Sequence, residues 1–476
     1  MSDYQKDIMN DKLSRRKLLA AMGMAGAGAA LSAIGMTGHA SASPATPATP
    51  ATPGSHGTPA TPANPASPAG SGGSGAMAGM AGCGEYNVMD YGAVGDGTTD
   101  DTAAVQSAVN AAAAAGGGTV CFPFTANGYL LGDITITKPV KLAAGGREVK
   151  LTAKAATGKL FTIRSSFVEI NGFFINMGNA GSSSIAIYLD TAAQTMEHIY
   201  LRDLIVWNAY AVLRDGKSSN IIVNLHVSNV TCRINKGVAV HLTDAFAYTF
   251  FKNVNVDNVP SAQIGITINF AGFIVENAQG FHFENCDVTG GNGNAGGDGF
   301  VIKNSEAVYF DTCMADTVGG VGFLFENVWY LYLVAVVSSL CHRGGMTLNG
   351  CRFVNGTNIV MAGRTYLPDK VANADGIKAV DSQRITMSSL SCRYNTGNGI
   401  TVDSSSYTMW STNDLFENTL KGLQEKGQNL TANTFIGCTF NANGSNYQIV
   451  SPFTHVCSAL LHSGVFQANQ AGPASF

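Results

Sequence analysis

Six titratable side chains crowd into one stretch of a chain otherwise poor in charge: Asp298, Lys303, Asp316, Glu326, His342 and Arg343. Only 13% of the 476 residues are Asp, Glu, Lys or Arg, and that contrast singles the cluster out. A plain solvated face would carry the same residue types. Two chemistries suit such a set. Removing a proton α to a carboxylate needs a base and a cation or donor that neutralises that carboxylate. Lys303, His342 or Arg343 could take either part, with the acids orienting them. Cleaving a glycosidic bond by water needs two carboxylates, about 5–5.5 Å apart for retention or roughly 6.5–9.5 Å for inversion. Asp298, Asp316 and Glu326 supply three. Asp287 and Asp316 are the oxygen ligands on offer should Ca²⁺ be required.

These residues meet only if the fold brings successive stretches into register, and a repeat argues that it does. Gly299-Phe300-Val301-Ile302-Lys303-Asn304 recurs 23 residues later as Gly322-Phe323-Leu324-Phe325-Glu326-Asn327, with looser copies from Gly237, Gly265 and Gly399. An apolar run ending in cysteine recurs at Cys232, Cys286, Cys313, Cys392 and Cys438, in steps close to multiples of the mid-twenties. A period of this size marks a solenoid. Short β-rich runs between Gly/Asn/Asp turns, without long helices, make it an all-β solenoid.

Turns of a β-solenoid stack at about 4.8 Å, so residues at one place in successive repeats form columns. The fourth residue after the repeat glycine gives an outward column of His241, Asn269, Lys303, Glu326 and Asp403, with Asn349 from a shifted copy. The turn leading into that strand adds Asp287, Asp298, Asp316, His342 and Arg343. His241, Asn269 and Asn349 are the expected binding residues along this groove. Trp329 and Tyr366 are the aromatic candidates for stacking on a ligand. Trp329, Tyr330 and Tyr332 read as strand, Tyr407 and Trp410 as loop, and the insertion from Gly363 to Gly376 is expected to overhang the groove.

The element that must start the coil runs from Tyr91 to Pro123. A glycine-rich turn (Gly92, Gly95, Gly97) leads to a short helix with Val105, Val109 and Ala112 on one stripe, and Gly116 to Gly118 stop it before a first strand, Thr119 to Phe122. Thr99 or Asp100 is the expected cap. Asp96, Asp100 and Asp101 are read as structural. A small-faced helix of this kind suits the open end of a stack of strands, whose edges must be covered.

The stretch from Tyr86 to about Leu131, with its GDG-x-x-DDT and GGGTV-x-x-P pieces, resembles the opening of pectate-lyase-like right-handed parallel β-helix proteins. That group includes tailspike-like proteins, glycoside hydrolases, polysaccharide lyases and alginate C5-epimerases. The resemblance implies a single-stranded right-handed parallel β-helix with an N-terminal capping helix, and an extracellular polysaccharide as partner. Asp298-Gly299-Phe300 is similar to the phrase that carries a site aspartate in the alginate epimerases. Their Asp-Pro-His-Glu motif is absent here, and Lys303 stands where their pattern has an acid. The polygalacturonase motifs are absent too. The expected activity is that of a polysaccharide lyase, with a glycoside hydrolase and a non-catalytic, tailspike-like glycan binder as the other readings. Monomer and homotrimer both remain open.

The remaining sequence sets the context. Ser14-Arg15-Arg16-Lys17-Leu18-Leu19 before a Gly/Ala-rich apolar run, closing on Ala40-Ser41-Ala42, resembles a twin-arginine export peptide over residues 1–42. It predicts a secreted, cell-surface or periplasmic protein with no membrane span after cleavage. Residues 43–84 are Pro/Ala/Thr and then Gly/Ser-rich, a spacer with too little apolar matter to fold. Residues 85–476 form the β-helix domain. The formal net charge of −4 argues against a nucleic-acid partner. Ten cysteines without a C-x-x-C pair are expected to be mainly buried thiols.

Overall fold

The computed structural model describes residues 86–463, apart from 145–148, 179, 181–182, 193, 217–219, 234–236, 244–245, 259–270, 291–296, 368–369 and 458–459. Residues 1–84, read above as export peptide and spacer, and Asn269 lie outside the described residues. The rest winds into a parallel β-solenoid of about 11 turns. One face is a 13-stranded parallel sheet running from Ile134–Ile136 to Ser445–Gln448. The other two faces share a 24-stranded sheet. A typical coil runs Phe300–Lys303 on the first face, Glu306–Asp311 on the second and Met314–Asp316 on the third. The next coil repeats it as Val321–Glu326, Trp329–Val334 and Val337–Ser339.

Sharp corners let three strands close a triangle. Between the second and third faces a single residue takes the left-handed conformation, as at Asn253, Asn285, Thr312 and Asn358 (φ 54–56°). Asparagine tolerates that region because its short amide can bond locally. Here the amides also bond one another along the coil axis: Asn253 donates to Asn229 at 2.9 Å and Asn285 to Asn253 at 2.6 Å. Inside, like residues stack on like. Phe273, Phe300 and Phe323 follow one another at 4.9 and 5.0 Å, their rings nearly parallel.

The repeat glycine has a steric cause. Gly272, Gly299, Gly322, Gly345, Gly376, Gly399 and Gly422 share one column, and each of the first six is crowded by the carbonyl of the next. A Cβ on Gly376 would stand 2.6 Å from Gly399 O, and one on Gly399 2.6 Å from Gly422 O. Gly237 lies off this column, because Val240 pairs with Phe273 and not with a residue two places further on.

The helix Thr102–Ala114 buries Val105, Ala108, Val109 and Ala112 against the first coil. Gln106 closes the exposed edge of the 13-stranded sheet, donating to Thr135 O at 3.0 Å and accepting from Thr135 N–H at 2.8 Å. The N-cap is Asp101 and not Thr99 or Asp100. Its buried carboxylate turns back to accept from Val94 and Gly95 N–H. Asp96–Asp100 is a strand paired with Gly128–Leu131 instead of an open turn.

Two further expectations are corrected. Tyr407 and Trp410 lie in the strand Ser406–Phe416, where Trp410 is fully buried and donates to Thr408 Oγ1 at 2.8 Å. The cysteines do not form one column: Cys286 and Cys313 directly follow a left-handed corner, whereas Cys232 pairs with Val256 further along the third face. Eight free thiols are described, seven of them buried, and Cys121 is disulfide-bonded. Among the described residues no helix is long and apolar enough to cross a membrane.

Candidate active site

On the first face the fourth-residue rule holds wherever the glycine column is followed. Glu276, Lys303, Glu326, Asn349, Val380, Asp403 and Lys426 occupy consecutive positions in the ladder. Alternating charge suits neighbours one inter-strand spacing apart. Lys303 Nζ lies 3.0 Å from Glu326 Oε2 and Lys426 Nζ 3.4 Å from Asp403 Oδ2. Glu276 and Lys426, overlooked in the sequence, become visible once Gly272 and Gly422 are counted as repeat glycines.

His241 does not belong to this row. It pairs with Arg214 and Ile274, two residues short of the Lys303 position, because Gly237 was the wrong glycine to count from. Asn349 does belong, and is exposed.

Asp298 stands one residue before its repeat glycine, at the edge where the coil enters the first face. Val321 N–H on the next coil donates to its Oδ1 at 2.7 Å. Burial pushes the carboxyl above its ordinary range. Arg343 and Lys303 pull it back and Glu326 pushes it up, so all three lie within electrostatic reach. Asp298 and Arg343 stand where their coils enter the first face, and Lys303 and Glu326 end the strands Phe300–Lys303 and Val321–Glu326 of that face. Arg343 is exposed, and Lys303 is half-buried and paired with Glu326.

His342 is drawn out of this group. It is 1% exposed, beside the buried Cys341, and cannot meet a ligand in the groove. Asp316 ends a third-face strand, half-buried, with Oδ1 sealed from solvent and lacking a hydrogen-bond partner. Burial raises its carboxyl to about 6, against the pull of Ser339 and Arg364. Arg364 comes from the Gly363–Gly376 insertion and folds back one coil, donating to Leu340 O at 2.7 Å. Tyr366, exposed beside it, feels Arg364 and Asp316 and meets Tyr394 edge-on at 5.8 Å. Asp316, Arg364 and Tyr366 thus form a second group; of these, the sequence had placed only Asp316 with Asp298.

Trp329 belongs elsewhere, on the second face, where the Arg352 guanidinium covers its ring at 5.2 Å. The Ca²⁺ reading does not fit. Asp287 pairs with Met314, whereas Asp316 pairs with Thr289, so the two carboxylates sit at different heights across the strand. Among the described residues no group of three or more His, Cys, Asp or Glu converges as a metal site would require.

Asp375 was missed. It precedes Gly376 as Asp298 precedes Gly299, and the shared Asp-Gly-apolar phrase was the available clue. It accepts from Asn398 N–H at 2.7 Å and from Thr401 Oγ1 at 2.8 Å.

Fold and site together define a right-handed parallel β-helix. No family model matches the chain. Among solved structures, the A-module of Azotobacter vinelandii mannuronan C5-epimerase AlgE6 aligns over 80% of this chain and 100% of its own, with a TM-score of 0.54 and 17% identity. The pre-mature bacteriophage phi29 gene product 12 aligns over 82% of this chain and 57% of its own, with a TM-score of 0.60 and 12% identity. These likenesses concern the fold. In sequence, the Azotobacter vinelandii mannuronan C5-epimerase AlgE5 is 67% identical over 39 residues, and AlgE6 40% identical over 94. Those segments are 8% and 18% of this chain and only 4% and 11% of the relatives' lengths. Alginate lyase 7 of the same organism is also 67% identical over 39 residues, 8% of this chain and 5% of its own.

Proposed function

We propose that the protein is an exported, carbohydrate-active enzyme that cleaves an acidic, uronate-containing polysaccharide by β-elimination. One observation carries the reading: Asp298, anchored at the entry edge of the first face by Val321 N–H, has the cations Arg343 and Lys303 as its charged neighbours. The short segments of high identity to alginate-acting enzymes support a uronate polymer as the substrate class.

In this mechanism Asp298 is the base. It removes the proton on C5, α to the uronate carboxylate. The electron pair moves into that carboxylate, whose developing charge Arg343 and Lys303 neutralise. Collapse of the pair breaks the C4–O bond, the departing oxygen collects a proton from water, and a C4=C5 double bond remains. Glu326 keeps Lys303 extended along the groove through their 3.0 Å pair.

The test is incubation of purified protein with linear polyuronates, following the ultraviolet absorbance of the unsaturated product. Absorbance that appears with wild type and not with Asp298→Asn supports the mechanism. Release of reducing ends without that absorbance would instead mean hydrolysis, with Asp298 and Glu326 as the carboxylates. Glycan binding without either product would leave a binding protein.

A further inference from the structure

The second face carries a feature that the chemistry at Asp298 does not use. Tyr200, His226, Phe250, His282, Tyr309 and Tyr332 occupy one outward position on six consecutive coils. Their rings follow one another at 4.4–5.0 Å and within 19° of parallel. The ladder starts and stops abruptly. The same position is Glu169 on the coil before and Asn355 on the coil after. Five coil steps make it about 24 Å long at ~4.8 Å each.

Beside the rings runs a polar row that includes Arg202, Lys252, Glu284 and Asp311, and a trough of about 720 Å³ lies between the two rows. Offset stacking turns ring edges to the solvent, including the Tyr hydroxyls and His nitrogens. The trough is therefore amphipathic along its whole length, apolar carbon alternating with donors and acceptors. Its charges cancel: Lys252 Nζ meets Glu284 Oε1 at 2.7 Å, and Arg202, 3.9 Å from Glu169, is offset by Asp311 further along.

We infer that this trough is a second glycan-binding site, separate from the Asp298 groove, that takes an extended neutral oligosaccharide of about four or five sugars. A pyranose residue is roughly as long as one coil step, so successive sugars keep register with successive rings. Their hydroxyls meet ring heteroatoms and the polar row, and their C–H faces meet ring carbon. A polyuronate is the wrong partner, because with Arg202 and Lys252 balanced by Glu284 and Asp311 the trough has no net positive charge to hold it.

The test is calorimetric titration of the full chain with neutral linear hexaoses (β-1,4-glucan, β-1,4-mannan, β-1,4-xylan and α-1,4-glucan) and with a hexauronate. At least one neutral hexaose should bind, and His282→Ala/Tyr309→Ala should weaken it tenfold or more while the melting curve is retained. Should the double variant melt early, Tyr332→Phe, which removes one hydroxyl, should still weaken binding severalfold. Asp298→Asn should leave this binding intact while removing the elimination product, so the two sites fail separately. The inference is overturned if no neutral hexaose binds, if the ladder variants bind as wild type does, or if the trough prefers the hexauronate. It is also overturned if light scattering shows an oligomer that the double variant dissociates, which would make the ladder a contact between copies.

Discussion

Asp298 and Asp375 make the same bond three coils apart: each Oδ1 accepts, at 2.7 Å, the backbone N–H of the residue at the matching position on the next coil, Val321 and Asn398. At ~4.8 Å per coil they are about 14 Å apart, so they cannot serve one scissile bond. Their surroundings differ. Asp375 spends its second oxygen on Thr401, whereas among the described residues the side chain of Asp298 has only the hydrogen bond from Val321.

That comparison separates chemistry from scaffold. Asp298→Asn keeps an acceptor for Val321 N–H and should change stability by less than about 0.5 kcal/mol while abolishing turnover. Asp298→Ala removes the acceptor as well and should cost about 1–3 kcal/mol. Asp375→Asn should retain turnover. Urea melts alongside product absorbance check all three, and a fully active Asp298→Asn would sink the assigned base.

Lys303→Met should leave stability within about 1 kcal/mol, since its ion pair is about a third exposed (35% and 32% for the two side chains) and such pairs contribute little. Turnover of a uronate polymer should fall about tenfold or more, because a cation facing the developing charge is lost. Steady-state kinetics at low and high salt would show it. An unchanged rate would place Lys303 outside the reaction.

Asp316 predicts a pH effect whose sign is fixed by burial. Its folded carboxyl sits at about 6 against an ordinary 3.8. Folding thus favours the protonated acid, a contribution present below the ordinary value and lost as pH rises through about 6. Asp316→Asn should therefore gain in melting temperature relative to wild type on going from about pH 4 to about pH 8. A gap that stays constant with pH would mean that Arg364 compensates the buried charge in full.

Glu425 occupies an inward position at which the preceding coils carry Ala379 and Val402. It is fully buried, and four donors hold it: Asn433 Nδ2, Thr454 Oγ1, and the backbone N–H groups of Val450 and Ser451. The carboxylate ties residues 450–454 to the last coils. Glu425→Ala should cost about 3 kcal/mol or more, because it leaves buried donors unpaired. The denaturant midpoint measures this, and a shift below about 1 kcal/mol would mean that water replaces the carboxylate.

Much of the first face was legible because its repeat has a local cause. A glycine that must accept the next coil's carbonyl, followed four residues later by an outward side chain, places Lys303, Glu326, Asn349 and Asp403 correctly. The same rule misplaced His241, since Gly237 is a glycine without that contact. His342 and Trp410 were misjudged for a related reason. A turn residue and an aromatic in a polar stretch look exposed, and only neighbouring coils bury them.

What the amino-acid order alone determined was the coil: period, strand faces, capping helix and the column of glycines, all set by steric and apolar patterning within and between adjacent repeats. What tertiary structure decided was which polar groups meet. Arg364 folding back towards Asp316, Asp298 lying within reach of Arg343, and a ladder of six aromatic rings, five of which line one trough, depend on side-chain paths across stacked coils. Those paths are chosen by burial and by partners more than twenty residues away, which no local pattern encodes.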